Sequence, residues 1–310
     1  MKNMRYLLID ANHLASRCRH AGSGRTLSRS DGLRTGVVYG VLRGTSWAKK
    51  HLQIDNNRVI CLWDGGRAAG RMEMYPGYKS GRTKENPTPE ELDEKKSYYE
   101  QISHVRRGLK HVGIRQVCVP GVEADDLISI FTTMYCGSGD EVTIYSGDQD
   151  MHQLVSSQVS ILHSEKDILR VDQILEHWKL PTIQLIPICK ALSGDSSDSI
   201  AGVPRIGEKR AALVAPYQHL IFSDCDQPDD VTDEVWQWVE VARSHVEIIS
   251  RNLKLMALPR SWSESFYTAE QAVSAIEQMH GPDTRRSMRE FIAFCREWEL
   301  ASILENLHHW

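Results

Sequence analysis

The sequence predicts an α/β fold, a mostly parallel central sheet flanked by helices and followed by a helical C-terminal region. Three observations carry this. Short apolar runs of strand type alternate with segments of helical spacing over the first half of the chain, two of those runs end directly in aspartate, and beyond about residue 172 helical spacing takes over. Strands alternating with helices give a sheet covered on both faces, and such sheets place ligands beyond the carboxyl ends of their strands.

In chain order, residues 4–9 (MRYLLI) and 58–63 (RVICLW) are the first strands, ending in Asp10 and Asp64, with a helix over 36–50 between them. Further strands are expected at 114–119 (IRQVCV) and 141–145 (EVTIY), with helices at 98–112 and 124–135; Asp148 also follows a strand. Residues 65–97, rich in glycine, proline and charge, interrupt the alternation and read as a mobile excursion over the sheet, or else as a disordered surface loop. Helices are expected over 181–192 and 232–255. The chain thus divides into an α/β core, 1–172, and a helical region, 173–310.

At 310 residues, 41% hydrophobic and 25% charged, the chain can bury a sizeable core. No run reaches the ~20 apolar residues of a membrane helix, and the N-terminus turns polar too early for a signal peptide, so a cytoplasmic location is expected. The seven cysteines are odd in number, dispersed and never in C-x-x-C spacing, which reads as reduced, mostly buried thiols. The net charge is −4, yet residues 11–50 carry eight bases (Arg17, Arg19, Arg25, Arg29, Arg34, Arg43, Lys49, Lys50) against one acid, Asp31. Charge location matters more than its sum for a nucleic-acid binder.

Carboxylates cluster in three further places: Glu123, Asp125 and Asp126 in GVEADD, Asp148 and Asp150 in SGDQD, and Asp195 and Asp198 in SGDSSD. Each alone has a plain reading, EADD as acids complementing a helix N-terminus and DSSD as a cap or turn. Together with Asp10 and Asp64 they make nine acids at strand ends and turns, a set suited to hard divalent ions such as Mg²⁺ or Mn²⁺. Histidine is absent from these groups, which argues against zinc hydrolase chemistry. Setting the nine aside leaves 32 of the 41 acids against 37 bases, a balance of +5.

Two motifs suit nucleic acid. GVPRIGEKRA (residues 202–211) resembles a helix–hairpin–helix within about 193–215, whose exposed N–H groups beside a helix N-terminus grip phosphates; an ordinary helix–turn–helix connection is the alternative. Tyr78, Lys79 and Arg82 in YKSGR place an aromatic beside two cations, as for single-stranded nucleic acid, although a solvated charged loop has the same composition.

LIDANHL, CLWD, GYKSGR, GVEADD, SGDQDMHQLV and GDSSDSIAGVPRIGEKRA resemble, in that order, the motifs of the flap endonuclease and 5′→3′ exonuclease family, in particular the 5′-nuclease domain of bacterial DNA polymerase I and stand-alone phage 5′-nucleases. Weaker echoes follow at SRNLKLMAL (250–258) and FIAFCREWELASIL (291–304). The resemblance implies a PIN-like fold with a helical arch or clamp at about 65–97. It implies that Asp10, Asp64, Glu123, Asp125, Asp126, Asp148, Asp150, Asp195 and Asp198 are the metal carboxylates for two Mg²⁺ or Mn²⁺ ions, with K⁺ at the hairpin. Lys79 and Arg82 would contact the scissile phosphate, Tyr78 a nearby base, and Arg17, Gly202, Arg205, Gly207, Lys209 and Arg210 the DNA. Asp126, Asp195 and Asp198 would serve a more distant ion.

Arg205 stands where the family usually has glycine. No polymerase domain and no sliding-clamp-binding motif follow, so a free-standing, monomeric enzyme of bacterial or phage origin is expected. It would act on branched or 5′-ended DNA, and on RNA–DNA hybrids, beside replication proteins. A non-catalytic structure-specific DNA-binding protein and a PIN-like ribonuclease are the rival readings.

Overall fold

A computed structural model describes residues 3–22, 26–82, 86–163, 167–281 and 285–310. Arg25 of the basic segment and residues 83–85 of the excursion lie outside the described residues.

The strands of the main sheet are β1 (Arg5–Asp10), β2 (Val59–Leu62), β3 (Arg115–Val117), β4 (Glu141–Tyr145), β5 (Val159–Leu162) and β6 (Ile168–Leu169), in the spatial order β3-β2-β1-β4-β5-β6. All neighbours are parallel except β5 and β6. The helices of this half are α1 (Ala11–His20), α2 (Gly36–Leu52), α3 (Ala69–Met74), α4 (Pro89–His111) and α5 (Ala124–Gly137).

The strands are apolar on both faces because both faces are covered. Leu7, Ile9, Val59, Cys61 and Tyr145 join one buried cluster with residues of α1, α2 and α4, while Leu8, Ile60, Leu62 and Ile144 join the other with α5. The chain fills the sheet on one side of β1 with β2 and β3, then crosses to β4 and β5. This reversal makes the carboxyl ends of β1 and β4 a topological switch point, where doubly wound sheets hold their ligands. Asp10 ends β1, Asp64 follows β2 and Asp148 follows β4.

The second half contains α6 (Val171–Trp178), α7 (Ile186–Ser193), a short antiparallel pair β7 (Gly194–Asp195) and β8 (Ile200–Ala201), α8 (Glu208–Val214), α9 (Gln218–Ile221), α10 (Asp233–Arg243), α11 (Val246–Met256), α12 (Ala269–His280), α13 (Met288–Glu297) and α14 (Ala301–Glu305). It shares the buried clusters of the sheet: Phe291, Phe294, Trp298 and Trp310 pack with α2 and α4, and Ala275 and Met279 of α12 with the α5 side.

The elements differ from expectation at four places. The helix expected from residue 98 begins at Pro89. Thr88 accepts from the Glu91 N–H (3.3 Å), the Glu91 carboxylate accepts from the Thr88 N–H (2.9 Å), and proline follows as the first helical residue. The excursion 65–97 is not a loop lying over the sheet, because Ala68, Arg71, Tyr78 and Lys79 within it are buried. The helix expected over 232–255 is two helices that part at Ser244 and His245. Strands β5 to β8 were not anticipated, being two to four residues long.

All seven cysteines are free, but only Cys61, Cys189 and Cys295 are buried. Among the described residues no helix is long and apolar enough to cross a membrane.

The β7–β8 pair places two glycines back to back. A Cβ on Gly202 would lie 2.3 Å from the Ser193 carbonyl group, and one on Gly194, at φ +78°, would lie 2.3 Å from the Gly202 nitrogen. Gly202→Ala should therefore lower stability by about 1–3 kcal/mol through overpacking against backbone. Urea unfolding measures it, and an unchanged midpoint would show that the hairpin tolerates the added methyl group.

Candidate active site

Four carboxylates converge at the switch point, each aimed by the backbone that follows it. Asp10 caps α1, accepting from the His13 N–H (2.9 Å) and the Ser146 hydroxyl (2.9 Å). Ser146 in turn accepts from the Asp148 N–H (3.1 Å), so β1 and the SGDQD turn are fastened through one hydroxyl. Asp64 accepts from the Ala124 N–H (2.8 Å), which ties the end of β2 to the start of α5, and its own N–H donates to Asn12 (3.0 Å). Asp125 lies in the first turn of α5, and Asp148 caps the 3₁₀ turn Gln149–Leu154 by accepting from the Asp150 N–H (2.8 Å).

Among the described residues no salt bridge reaches Asp10, Asp64, Asp125 or Asp148. Burial, together with the charges of Asp64 and Asp148, pushes Asp10 up to about 7. Burial followed by Asp148, Asp10 and Asp64 raises Asp125 well above the usual carboxylate range. Burial also raises Asp64. Proximity of like charges in a desolvated place disfavours ionisation of all three.

The other five acids have cations. Glu123 accepts from Lys79 Nζ (2.8 Å), Arg71 Nη1 (2.5 Å) and the Tyr78 hydroxyl (2.9 Å); burial would raise it, but Lys79 and Arg71 outweigh that and hold it low. Asp126 takes a bidentate pair from Arg71 (2.6 and 2.8 Å) and the Tyr267 hydroxyl (2.5 Å). The buried Lys190 ammonium joins Asp150 to Asp195, the latter at 3.1 Å. Asp198 pairs with Arg82 (2.5 Å) and lies 4.0 Å from Lys79. Glu123, Asp125, Asp150, Asp195 and Asp198 line one small common cavity. No three His, Cys, Asp or Glu side chains among the described residues stand at metal-ligand spacing, and Lys79 and Lys190 reach in among the acids instead.

Two residues singled out from sequence have surroundings that their motifs do not reveal. Tyr78 does not present its ring for stacking. It is 3% exposed, lies against Lys79 and Arg71, and donates to Glu123, so it serves the carboxylate cluster. Asp126 is held by Arg71 and Tyr267 at 1% exposure, apart from the cavity that Asp195 and Asp198 line, because a helix places residues 123 and 126 on one side and Arg71 reaches both.

Lys79, with φ +55°, and the half-exposed Arg82 line the cavity onto which Asp64 opens. Arg17 donates to the Tyr145 hydroxyl (2.5 Å) and stacks on its ring, beside the end of β4. In the hairpin, Gly207 caps α8, and Arg205, Lys209 and Arg210 are exposed. Arg205 has φ +70°, a left-handed conformation that favours glycine. Arg210 donates to its carbonyl (2.7 Å), and both guanidinium groups lie over Trp238, at 5.4 and 3.9 Å from the ring centroid, so side-chain contacts compensate the backbone strain. A Cβ on Gly202 would meet the backbone of Ser193 and Gly194, so this glycine permits close packing of the hairpin.

Four residues that support the site were not singled out from sequence. Arg71 and Tyr267 gave no local signal. Lys190 is an isolated charge in the apolar run IPICKAL, which is a signal. Asn252, fully buried within the SRNLKLMAL echo, donates to the carbonyls of Ala191 and Ala201 (both 2.9 Å) and so braces the β7–β8 hairpin.

Comparison with known proteins places this geometry. Residues 5–179 match the family described as 5′-3′ exonuclease, N-terminal resolvase-like domain. Thermostable DNA polymerase I of Thermus aquaticus is 35% identical over 207 residues, which are 67% of this chain and 23% of that protein. DNA polymerase I of Mycobacterium bovis is 32% identical over 261 residues, 82% of this chain and 27% of that protein. The chain thus spans about a quarter of the length of these curated relatives. Among solved structures, a phage T5 protein co-crystallized with metal ions superposes with a TM-score of 0.68 at 20% identity, covering 96% of this chain and 98% of that one, a likeness of fold. A family match over more than half of the 310 residues, together with motifs in the family's order, shows that the chain belongs to the 5′–3′ exonuclease family through its N-terminal, resolvase-like domain.

Proposed function

We propose that this chain is a structure-specific 5′-nuclease, a flap endonuclease and 5′→3′ exonuclease that hydrolyses phosphodiester bonds in 5′-flap or 5′-ended DNA during replication and repair, such as primer or flap removal. The observation that carries the reading is the cluster of Asp10, Asp64, Asp125 and Asp148, reached by no salt bridge among the described residues, whose member Asp64 opens onto a cavity of about 640 Å³ that Lys79 and Arg82 also line. A homologous fold supports it: a T5 flap endonuclease has been solved in a complex with DNA and metal ions.

The donor set fits divalent cations. It is all oxygen, and three of its carboxyls have affinities for protons raised by desolvation first and by neighbouring carboxylates second, which positive charge would offset. Asp10, Asp64, Glu123, Asp125, Asp148 and Asp150 would hold one Mg²⁺ or Mn²⁺ ion, with Asp195 and Asp198 toward a second. Such ions supply Lewis acidity and an activated water. Lys79 and Arg82 neutralise charge developing on the phosphate, and Lys190 keeps Asp150 and Asp195 in one arrangement. The exposed Arg205, Lys209 and Arg210 grip duplex phosphates, with K⁺ at the hairpin, while Arg17 adds positive charge near the end of β4. The division at about residue 172 then separates a catalytic core from a duplex-holding region. The enzyme would act as a monomer in the cytoplasm of a bacterial or phage-infected cell, with RNA–DNA hybrids as further substrates and replication proteins as neighbours.

Single-turnover cleavage of a 5′-labelled flap duplex tests this. Cutting should require Mg²⁺, stop in EDTA and stop with Asp148→Asn, while Asp198→Asn is less impaired. Lys79→Ala should slow the chemical step by about 10²–10³-fold with a smaller loss of binding. Normal cutting by Asp148→Asn would sink the assignment.

The raised Asp10 carboxyl sets a pH dependence. Its folded pKa of about 7 lies above the ordinary 3.8, so the metal-free fold binds the proton more tightly than the unfolded chain and loses stability as pH rises from about 4 to 7. A cation must displace that proton, so Mn²⁺ affinity measured by calorimetry should rise roughly fivefold from pH 6 to pH 7 and by a further factor of about two before levelling off above pH 8. An affinity that is flat or falls over that range would contradict the charge cluster.

A further inference from the structure

The same cavity has an apolar wall that the nuclease reading leaves unused. On its α4 side, Leu92 and Tyr99 stand two helical turns apart on one face, 53% and 61% exposed. Tyr98 backs Tyr99. The rings meet edge-on with centroids 5.4 Å apart at 69°, and the Arg19 guanidinium lies 5.4 Å from the Tyr98 ring on its other contact. Tyr99 is thus a large exposed aromatic held by a fixed neighbour, beside a leucine that also lacks cover.

The rest of the cavity wall is charged, with five cations (Arg19, Arg67, Lys79, Arg82, Lys95) against Asp64, Glu91 and Glu123. Cations that can meet phosphates and an exposed aromatic side chain, lining one cavity, match the two halves of an unpaired nucleotide. With helix α4 expected to begin at residue 98, Leu92 fell outside it, and only the structure places Leu92 and Tyr99 on one helical face over a site.

We propose that Tyr99, flanked by Leu92 and held by Tyr98, is the stacking platform for an unpaired base of a 5′ single strand next to the carboxylate site. This takes the role that the buried Tyr78 does not fill. The inference rests on the 5′-nuclease reading for the class of ligand, single-stranded DNA, and its test is a binding measurement that does not need cleavage.

The full chain is titrated in EDTA with a 5′-flap duplex carrying 2-aminopurine at successive unpaired positions. Stacking should change the fluorescence of the base at one position near the junction. Tyr99→Phe should retain the signal, whereas Tyr99→Ala should lose it together with roughly 5- to 100-fold in flap affinity. Affinity for a blunt duplex should be unchanged in Tyr99→Ala, and an abasic site at the responding position should make wild type and Tyr99→Ala bind alike. Retained signal and affinity in Tyr99→Ala would overturn the proposal, as would an equal loss on blunt duplex, which would mark a structural role. A base-specific signal lost in Tyr99→Ala, from a protein that cuts no flap, would uphold the platform while removing the nuclease reading.

Discussion

Carboxylates crowded at one edge of a sheet repel one another, and desolvation makes the repulsion stronger. The fold meets this with cations brought in from distant segments, and those cations set much of the tertiary arrangement around the site. Arg71 is the clearest case. Buried at 3% exposure, it donates to Glu123 and Asp126 on α5 and, through Nε, to the Leu255 carbonyl at the end of α11 (3.0 Å). One guanidinium therefore fastens the excursion after β2 to the sheet-covering helix and to the helical region. Removing one partner from such a buried pair typically costs about 3–5 kcal/mol, because the other charge is left stranded.

Compensation stops short of the switch point. Glu123, Asp126, Asp150, Asp195 and Asp198 have ammonium or guanidinium partners, whereas Asp10, Asp64, Asp125 and Asp148 have backbone N–H, hydroxyl and one another. The division follows the architecture. Asp10, Asp64 and Asp148 lie at or just past the ends of parallel strands and Asp125 joins them from the first turn of α5, whereas the five sit at the start of α5, on the 3₁₀ turn and on the β7–β8 hairpin, within reach of α3, α7 and the YKSGR turn. Lys190 links the two groups of turns. The hairpin is braced from behind by Asn252 and closed by the Gly194–Gly202 contact, so the positions of Asp195 and Asp198 depend on groups that carry no charge.

Much of this was legible in the sequence. Strands that are buried on both faces read as continuous apolar runs, and the aspartates that end them mark the sheet's functional edge. What escaped was long-range pairing. Arg71, Tyr78, Lys79 and Lys190 look like surface residues until the acids that accept from them, up to 55 residues away in the chain, are known. The polar look of 65–97 followed from those same charges, and the start of α4 was missed although Thr88 and Glu91 spell a capping box. Arg205 shows the reverse limit, since the sequence marks the departure from glycine but not the Trp238 and Arg210 contacts that permit φ +70°.

The most direct test of the charge account is to grow crystals in Mn²⁺ and locate the ions by anomalous scattering. The account predicts an ion among Asp10, Asp64, Asp125 and Asp148, the four acids of the cluster that no salt bridge reaches among the described residues, with Asp126 still held by Arg71. An ion bound by Asp126 in place of Arg71, with none among those four, would contradict it.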